Sequence, residues 1–134
     1  MSDRHRADKR KILALDFDGV IHGYQSGWQG GTNIPDPPVE KALQYLRDMV
    51  GDPEIRPVIF SSRARHPNAI TAIKRYLTSH GLEPHIVKQI EITAEKPPAW
   101  LTVDDRAWAF DGTFPTRKEV LNFRPWYMRD QEVT

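Results

Sequence analysis

The feature that most constrains this chain is the run Ile12-Leu13-Ala14-Leu15-Asp16-Phe17-Asp18-Gly19. Ile12 to Phe17 is short and almost wholly apolar, and such a run reads as a strand buried on both faces, as in parallel sheets. It ends in two aspartates one residue apart, which in a continuing strand point to the same face. Two close carboxylates repel unless a proton or a cation is shared between them. A hard divalent cation with oxygen ligands resolves the conflict. A calcium-binding loop does not, because Ile21-His22-Gly23 supplies none of the further acidic ligands that such a loop requires.

The rest of the chain alternates strand and helix signals. Gly19 to Thr32 is glycine-rich and reads as a flexible loop or small hairpin. A helix is expected from Asp36, with Asp36 as its cap, Pro37 at its first position and Val39, Leu43, Leu46 and Val50 as its apolar stripe. Gly51-Asp52-Pro53 ends it. Pro57 to Phe60 is a second buried strand, closed by Ser61-Ser62-Arg63. Pro67 opens a helix with Ile70, Ile73 and Leu77 on one face and Gly81 as its C-terminal cap. Ile86-Val87 and Ile90 to Thr93 are short strand candidates, and Trp100 to Val103 is a strand running into Asp104-Asp105. A short helix is expected over Thr116 to Asn122, before an aromatic pair, Trp126-Tyr127.

This alternation argues for an α/β fold with a parallel sheet. Ligands bind such sheets beyond the carboxyl ends of the strands. Asp16, Asp18, Ser61, Asp104 and Asp105 are all expected there, and that convergence is the strongest functional signal in the sequence. With 134 residues the chain suits one domain, here 12–134, behind a basic, flexible tail over 1–11. The tail residues Arg4, His5, Arg6, Lys9, Arg10 and Lys11 read either as a solvated segment or as an attractor of polyanions. The net charge of +1 gives no global field for nucleic acid. The absence of cysteine excludes disulfides and thiolate metal sites. No apolar run approaches a membrane span and Met1 to Lys11 has no signal-peptide core, so a cytoplasmic location is expected.

Four separated pieces of the chain resemble the motifs of the haloacid dehalogenase superfamily, most of whose members are phosphatases. Ile12 to Val20 is similar to the first motif, Val58-Ile59-Phe60-Ser61 to the second, Lys96 to the lysine of the third, and Leu101 to Asp105 to the fourth. The resemblance implies a Rossmann-like three-layer sandwich with a mostly parallel sheet, and an Mg²⁺-dependent phosphomonoester hydrolase working through an aspartyl-phosphate. Asp16 is then the nucleophile. Asp18 is the acid and base, and needs a raised pKa to begin protonated. Ser61 binds the transferring phosphoryl group, with Ser62 as the alternative donor. Lys96 neutralises charge, with Lys88 as the alternative. Asp16, Asp104, Asp105 and the backbone carbonyl of Asp18 hold Mg²⁺.

Gly19, Ser62 and Arg63 are expected at the substrate, with Arg65 and His66 beside them. Arg106 reads as a brace on a site carboxylate, and Trp28 either stacks on a base or sugar or packs beneath its loop. Neither Gly19 to Asp36 nor Ser62 to Lys96 is long enough for a cap domain. An uncapped site is open, which suits bulky substrates such as nucleic-acid ends or phosphoproteins and permits a small one if a second subunit closes it; the expected partner is a phosphorylated small molecule or nucleotide. A polynucleotide end is the alternative substrate, and a non-catalytic phosphate-binding or regulatory module is the alternative of another class.

Overall fold

The computed structural model describes residues 8–129. The elements in chain order are β1 (Lys11–Asp16), α1 (Ala42–Gly51), β2 (Ile55–Phe60), a 3₁₀ turn (Ser62–Arg65), α2 (Ala69–Ser79), α3 (Pro84–Val87), β3 (Glu91–Thr93), β4 (Leu101–Val103), α4 (Arg117–Asn122) and α5 (Trp126–Arg129). The four strands form one sheet in the order β3-β2-β1-β4, with every pairing parallel. The protein is therefore α/β.

Strand alternation gives β1 two different faces. Leu13 and Leu15 point into the main core with Ile59 and Ile92, against Leu46 of α1 and Ile73, Tyr76 and Leu77 of α2. Leu46, Ile59, Ile73 and Leu77 are fully enclosed, and burial of each such side chain contributes about 1.5–3 kcal/mol. Ala14 and Asp16 fall on the opposite face, in register with Val58 and Phe60 of β2. Asp16 thus leaves the core side at the last residue of its strand. The order of strands reverses at β1, because β2 and β3 lie on one side of it and β4 on the other. The carboxyl ends of β1 and β4 flank that switch point, where α/β sheets open a crevice for ligands.

Local structure departs from expectation in two places. The helix expected from Asp36 begins at Ala42, behind Lys41 at φ 70°. Asp36 is otherwise engaged: its carboxylate accepts from the Ser26 backbone N–H (2.8 Å) and hydroxyl (2.7 Å), and its carbonyl accepts from the Tyr76 hydroxyl (2.7 Å). Pro38 also pushes Pro37 away from helical backbone angles. Ile86-Val87, expected as strand, closes one helical turn instead. Pro84 sits at its start and both residues donate backbone N–H groups to the Glu83 carbonyl, at 2.9 and 3.0 Å. The glycine-rich segment, read as a loop or a small hairpin, is a loop. From Gly19 to Lys41 the chain makes turns and two isolated bridges, Asp18 with His22 and His22 with Pro38.

Other expectations match the structure. Gly81, at φ 111°, follows the C-cap of α2, and Thr116 caps α4 through a reciprocal bond with Glu119. Lys11, assigned to the tail, is the first residue of β1, and Arg10 is clamped to Asp8 at 2.7 Å. Arg4, His5 and Arg6 lie outside the described residues. Among the described residues, no helix is long and apolar enough to cross a membrane.

Candidate active site

Asp16 ends β1, and Asp104 and Asp105 directly follow β4. Parallel pairing of Leu15 with Val103 brings these strand ends side by side. One carboxylate oxygen from each of the three aspartates lies within 4.8 Å of the others. The Asp16 carboxylate also accepts the Phe17 backbone N–H at 2.9 Å. Burial, together with the neighbouring Asp105 and Asp104, pushes the Asp16 pKa up to about 8. Asp105 is raised as well, first by burial and then by Asp104. Without a cation, this crowding of carboxylates favours the protonated form of Asp16. Three convergent carboxylates of this kind suit a hard cation such as Mg²⁺, whose charge replaces that proton.

Gly19 makes the close approach of this wall possible. Its φ is +86°, and a Cβ there would overlap the Asp105 carboxylate and come within 2.9 Å of Tyr127 Cε1. Trp126 Nε1 donates to the Gly19 carbonyl at 2.6 Å. Arg106 Nη2 donates to the Tyr127 hydroxyl at 3.1 Å, and its Nε lies 4.0 Å from Asp105. The aromatic pair is therefore a pin from the C-terminal region onto the first motif. Arg106 braces Asp105, and its backbone N–H donates to Asp104 at 3.0 Å.

Asp18 has a different setting from the one expected. Burial acts to raise its pKa, but hydrogen bonds from His22 and Arg63 outweigh it and hold the carboxyl below its ordinary value. His22 Nε2 accepts the Asp36 backbone N–H at 3.0 Å. A backbone N–H can only donate, so Nε2 carries a lone pair, and Nδ1 bears the proton given to Asp18 at 2.8 Å. The expectation that Asp18 starts protonated is thus corrected. Two donors fix it as a carboxylate.

Arg63, expected at the substrate, is buried with 1% of its surface exposed. Its Nε and Nη2 donate to the two Asp18 oxygens at 3.1 and 2.8 Å. Its Nη1 is directed at the carbonyls of Gly30, Gly31 and Asn33, at 2.9, 3.1 and 3.1 Å. The guanidinium is spent on binding the glycine-rich loop to Asp18, not on contacting a ligand. His22, Asp36 and Tyr127 were not assigned to the site from the sequence. The one local signal was the four-residue spacing of Asp18 and His22.

The remaining expected residues surround this centre. Ser61 is buried, and its hydroxyl accepts the Arg63 backbone N–H at 3.2 Å while keeping its own proton to donate. Ser62 is exposed at the start of the 3₁₀ turn. Lys96 is exposed and does not contact Asp16; its Nζ lies 5.6 Å over the ring of Phe60, the strand neighbour of Asp16. Lys88 caps α3, ahead of β3, and so sits toward the amino ends of the strands, away from the cluster. Arg65 pairs with Glu95 at 2.6 Å. Trp28 lies over Arg63, 4.8 Å from its guanidinium carbon, and against His66, with ring centroids 5.3 Å apart. No family model, curated protein or solved structure matches the chain.

Proposed function

We propose that this chain is an Mg²⁺-dependent phosphomonoester hydrolase of the haloacid dehalogenase type, on a Rossmann-like sheet without a cap domain. The observation that carries this reading is the meeting of Asp16, Asp104 and Asp105 within 4.8 Å at the switch point of a parallel sheet. The cluster's uncompensated negative charge supports a cation there, held by the three carboxylates. When bound, the cation would offset the charge of the phosphoryl oxygens.

Asp16, freed of its proton, attacks phosphorus through a carboxylate oxygen, and the bond from phosphorus to the ester oxygen breaks. The product is an aspartyl-phosphate on Asp16. Ser61 offers a hydroxyl proton to the phosphoryl group, and Lys96 is on the Asp16 face of the sheet to balance its charge. The ionised Asp18 suits the second half of the reaction, where it takes a proton from the water that splits the acyl phosphate. The leaving oxygen takes its proton from solvent, which an uncapped site admits.

A second reading is a phosphate-binding module without turnover. The observation that favours it is the commitment of Asp18 to Arg63 and His22, which leaves Asp18 without a proton to give a leaving group. Hydrolysis of a simple alkyl phosphate in chelator and in Mg²⁺ separates the two. The hydrolase reading expects turnover in Mg²⁺ alone, and a fall of about 10³-fold or more in Asp16→Asn with the fold retained. Near-normal turnover in that variant, or full activity in excess chelator, would refute the mechanism. Phosphate binding without turnover would establish the module.

A further inference from the structure

The glycine-rich loop carries one large aromatic, Trp28, and half of its surface, 50%, stays open to solvent. A half-exposed tryptophan on a loose loop would mean little. This one is held on both sides. Ser26, two residues before it, gives its backbone N–H and hydroxyl to Asp36 at 2.8 and 2.7 Å. Gly30 and Gly31, just after it, are held by Arg63 at 2.9 and 3.1 Å. The ring rests over the buried guanidinium of Arg63 at 4.8 Å and leans on His66 at 5.3 Å. Gly31 is pressed against the base of His66, where a Cβ would overlap that side chain.

The same guanidinium that supports the ring also holds Asp18, at 2.8 Å. One planar group therefore separates the indole from the phosphate end of the candidate site. A flat, partly open aromatic one guanidinium away from Asp18 offers a stacking surface for a second flat ring. The cation behind the indole draws its π-electrons inward and favours an electron-rich ring on the open side. Among phosphomonoesters, the class that carries such a ring beside its phosphate is the nucleotides.

We propose that Trp28, backed by Arg63 and His66, is a stacking platform for the base of a nucleotide whose phosphate lies at Asp16. The inference rests on the phosphohydrolase reading for its choice of ligand. The ligand chemistry is a phosphorylated nucleoside, either free or as the end of an oligonucleotide. Stacking of one base on an aromatic side chain strengthens binding by about 10-fold or more. Because the platform is already ordered, little of that is lost in fixing the loop.

The test compares adenosine 5′-monophosphate with ribose 5-phosphate, which keeps the phosphate and sugar and lacks the base. The native protein should favour the nucleotide by about 10-fold in kcat/KM, with the difference mainly in KM. Trp28→Ala should collapse that ratio toward one, and Trp28→Phe should retain most of it. A native ratio near one, or an equal loss on both substrates in Trp28→Ala, would overturn the platform and leave Trp28 as packing for Arg63. A 5′-phosphorylated oligonucleotide in a parallel arm separates the two sources: preference for it over the free nucleotide, weakening with salt, assigns the site to a strand end. If no ester is hydrolysed, the hydrolase reading fails on its own, and tryptophan fluorescence then decides the platform. Quenching by adenosine monophosphate that Trp28→Phe abolishes supports it. The absence of quenching rejects it.

Discussion

Asp16 stands between two walls built in opposite ways. The wall on the β2 side is polar yet enclosed: Arg63 and His22 are buried, Asp36 nearly so, and each side-chain nitrogen or oxygen among them has a partner. The wall on the β4 side is thin. β4 has three residues and forms an edge of the sheet. Beyond it the chain exposes Trp100 at 74% and Phe114 at 79%, with Trp108 and Phe110 also open. That thin wall nonetheless supplies two of the three clustered carboxylates. Polar contacts are concentrated on the β2 side, whereas two of the three clustered carboxylates come from the less supported side, tied down by Trp126, Tyr127 and Gly19.

If the β2-side wall is the rigid one, breaking it should have the largest effect. Arg63→Met leaves Asp18 ionised without its main partner and strips three carbonyls of their donor. Loss of one partner of a buried ion pair costs about 3–5 kcal/mol, which urea unfolding would read directly. Arg63→Lys should recover little, since an ammonium lacks the fork that serves Asp18 and the loop together. A loss below about 1 kcal/mol would show that the network is not what holds this wall.

The β4-side wall should respond more weakly. Gly19→Ala places a methyl group against Asp105 and Tyr127 at a left-handed backbone position. About 1–3 kcal/mol of strain is expected, less than for Arg63→Met, with part of it relieved by retreat of the pin. Stabilisation by Mg²⁺, measured by the thermal midpoint, should weaken in parallel because Asp105 is displaced. A variant as stable as the native protein, with unchanged response to Mg²⁺, would mean that the pin is slack.

The third effect, a pH dependence, is confined to the cluster. The pKa of Asp16 is about 8 in the fold, against an ordinary value of 3.8. A carboxyl raised in this way favours the folded state at low pH, and its contribution is lost as pH rises through 8. In chelator, lowering the pH from 8 to 5 should therefore raise the thermal midpoint, by about 3 °C or more. Asp18, whose pKa is lowered, loses its contribution only below the ordinary carboxylate range, outside this window. Mg²⁺ at pH 8 should restore the midpoint that acid restores in its absence. A midpoint that falls steadily from pH 8 to 5 would contradict the protonated cluster.

What could be read from the sequence follows the range of the interaction that determines it. β1, β2 and α2 are written in local apolar patterns and turn residues, and the placing of Asp16, Asp104 and Asp105 at strand ends follows from those patterns. The setting of Asp18 does not. Its spacing from Asp16 gives a position, but its protonation state comes from Arg63, far along the chain, and from the tautomer of His22. That tautomer is imposed in turn by the backbone N–H of Asp36. Asp36 followed by proline has the form of a helix start, and it failed as one because Ser26 and Tyr76 claim its polar groups. Arg63 reads as a substrate contact from the sequence because nothing local reveals that three loop carbonyls close around it.

The register of Leu13 with Leu101 has a consequence for the order in which the molecule is made. A chain synthesised from its amino end presents β1 and β2 for pairing well before β4 exists, and β3 only a few residues ahead of it. Asp16, the oldest member of the cluster, waits without its carboxylate neighbours until nearly all of the described chain has left the ribosome. Until then it is an ordinary strand-end carboxylate, with no shared proton and too few ligands to retain a divalent ion. The proposed cation site is thus completed last, with the docking of an edge strand of three residues.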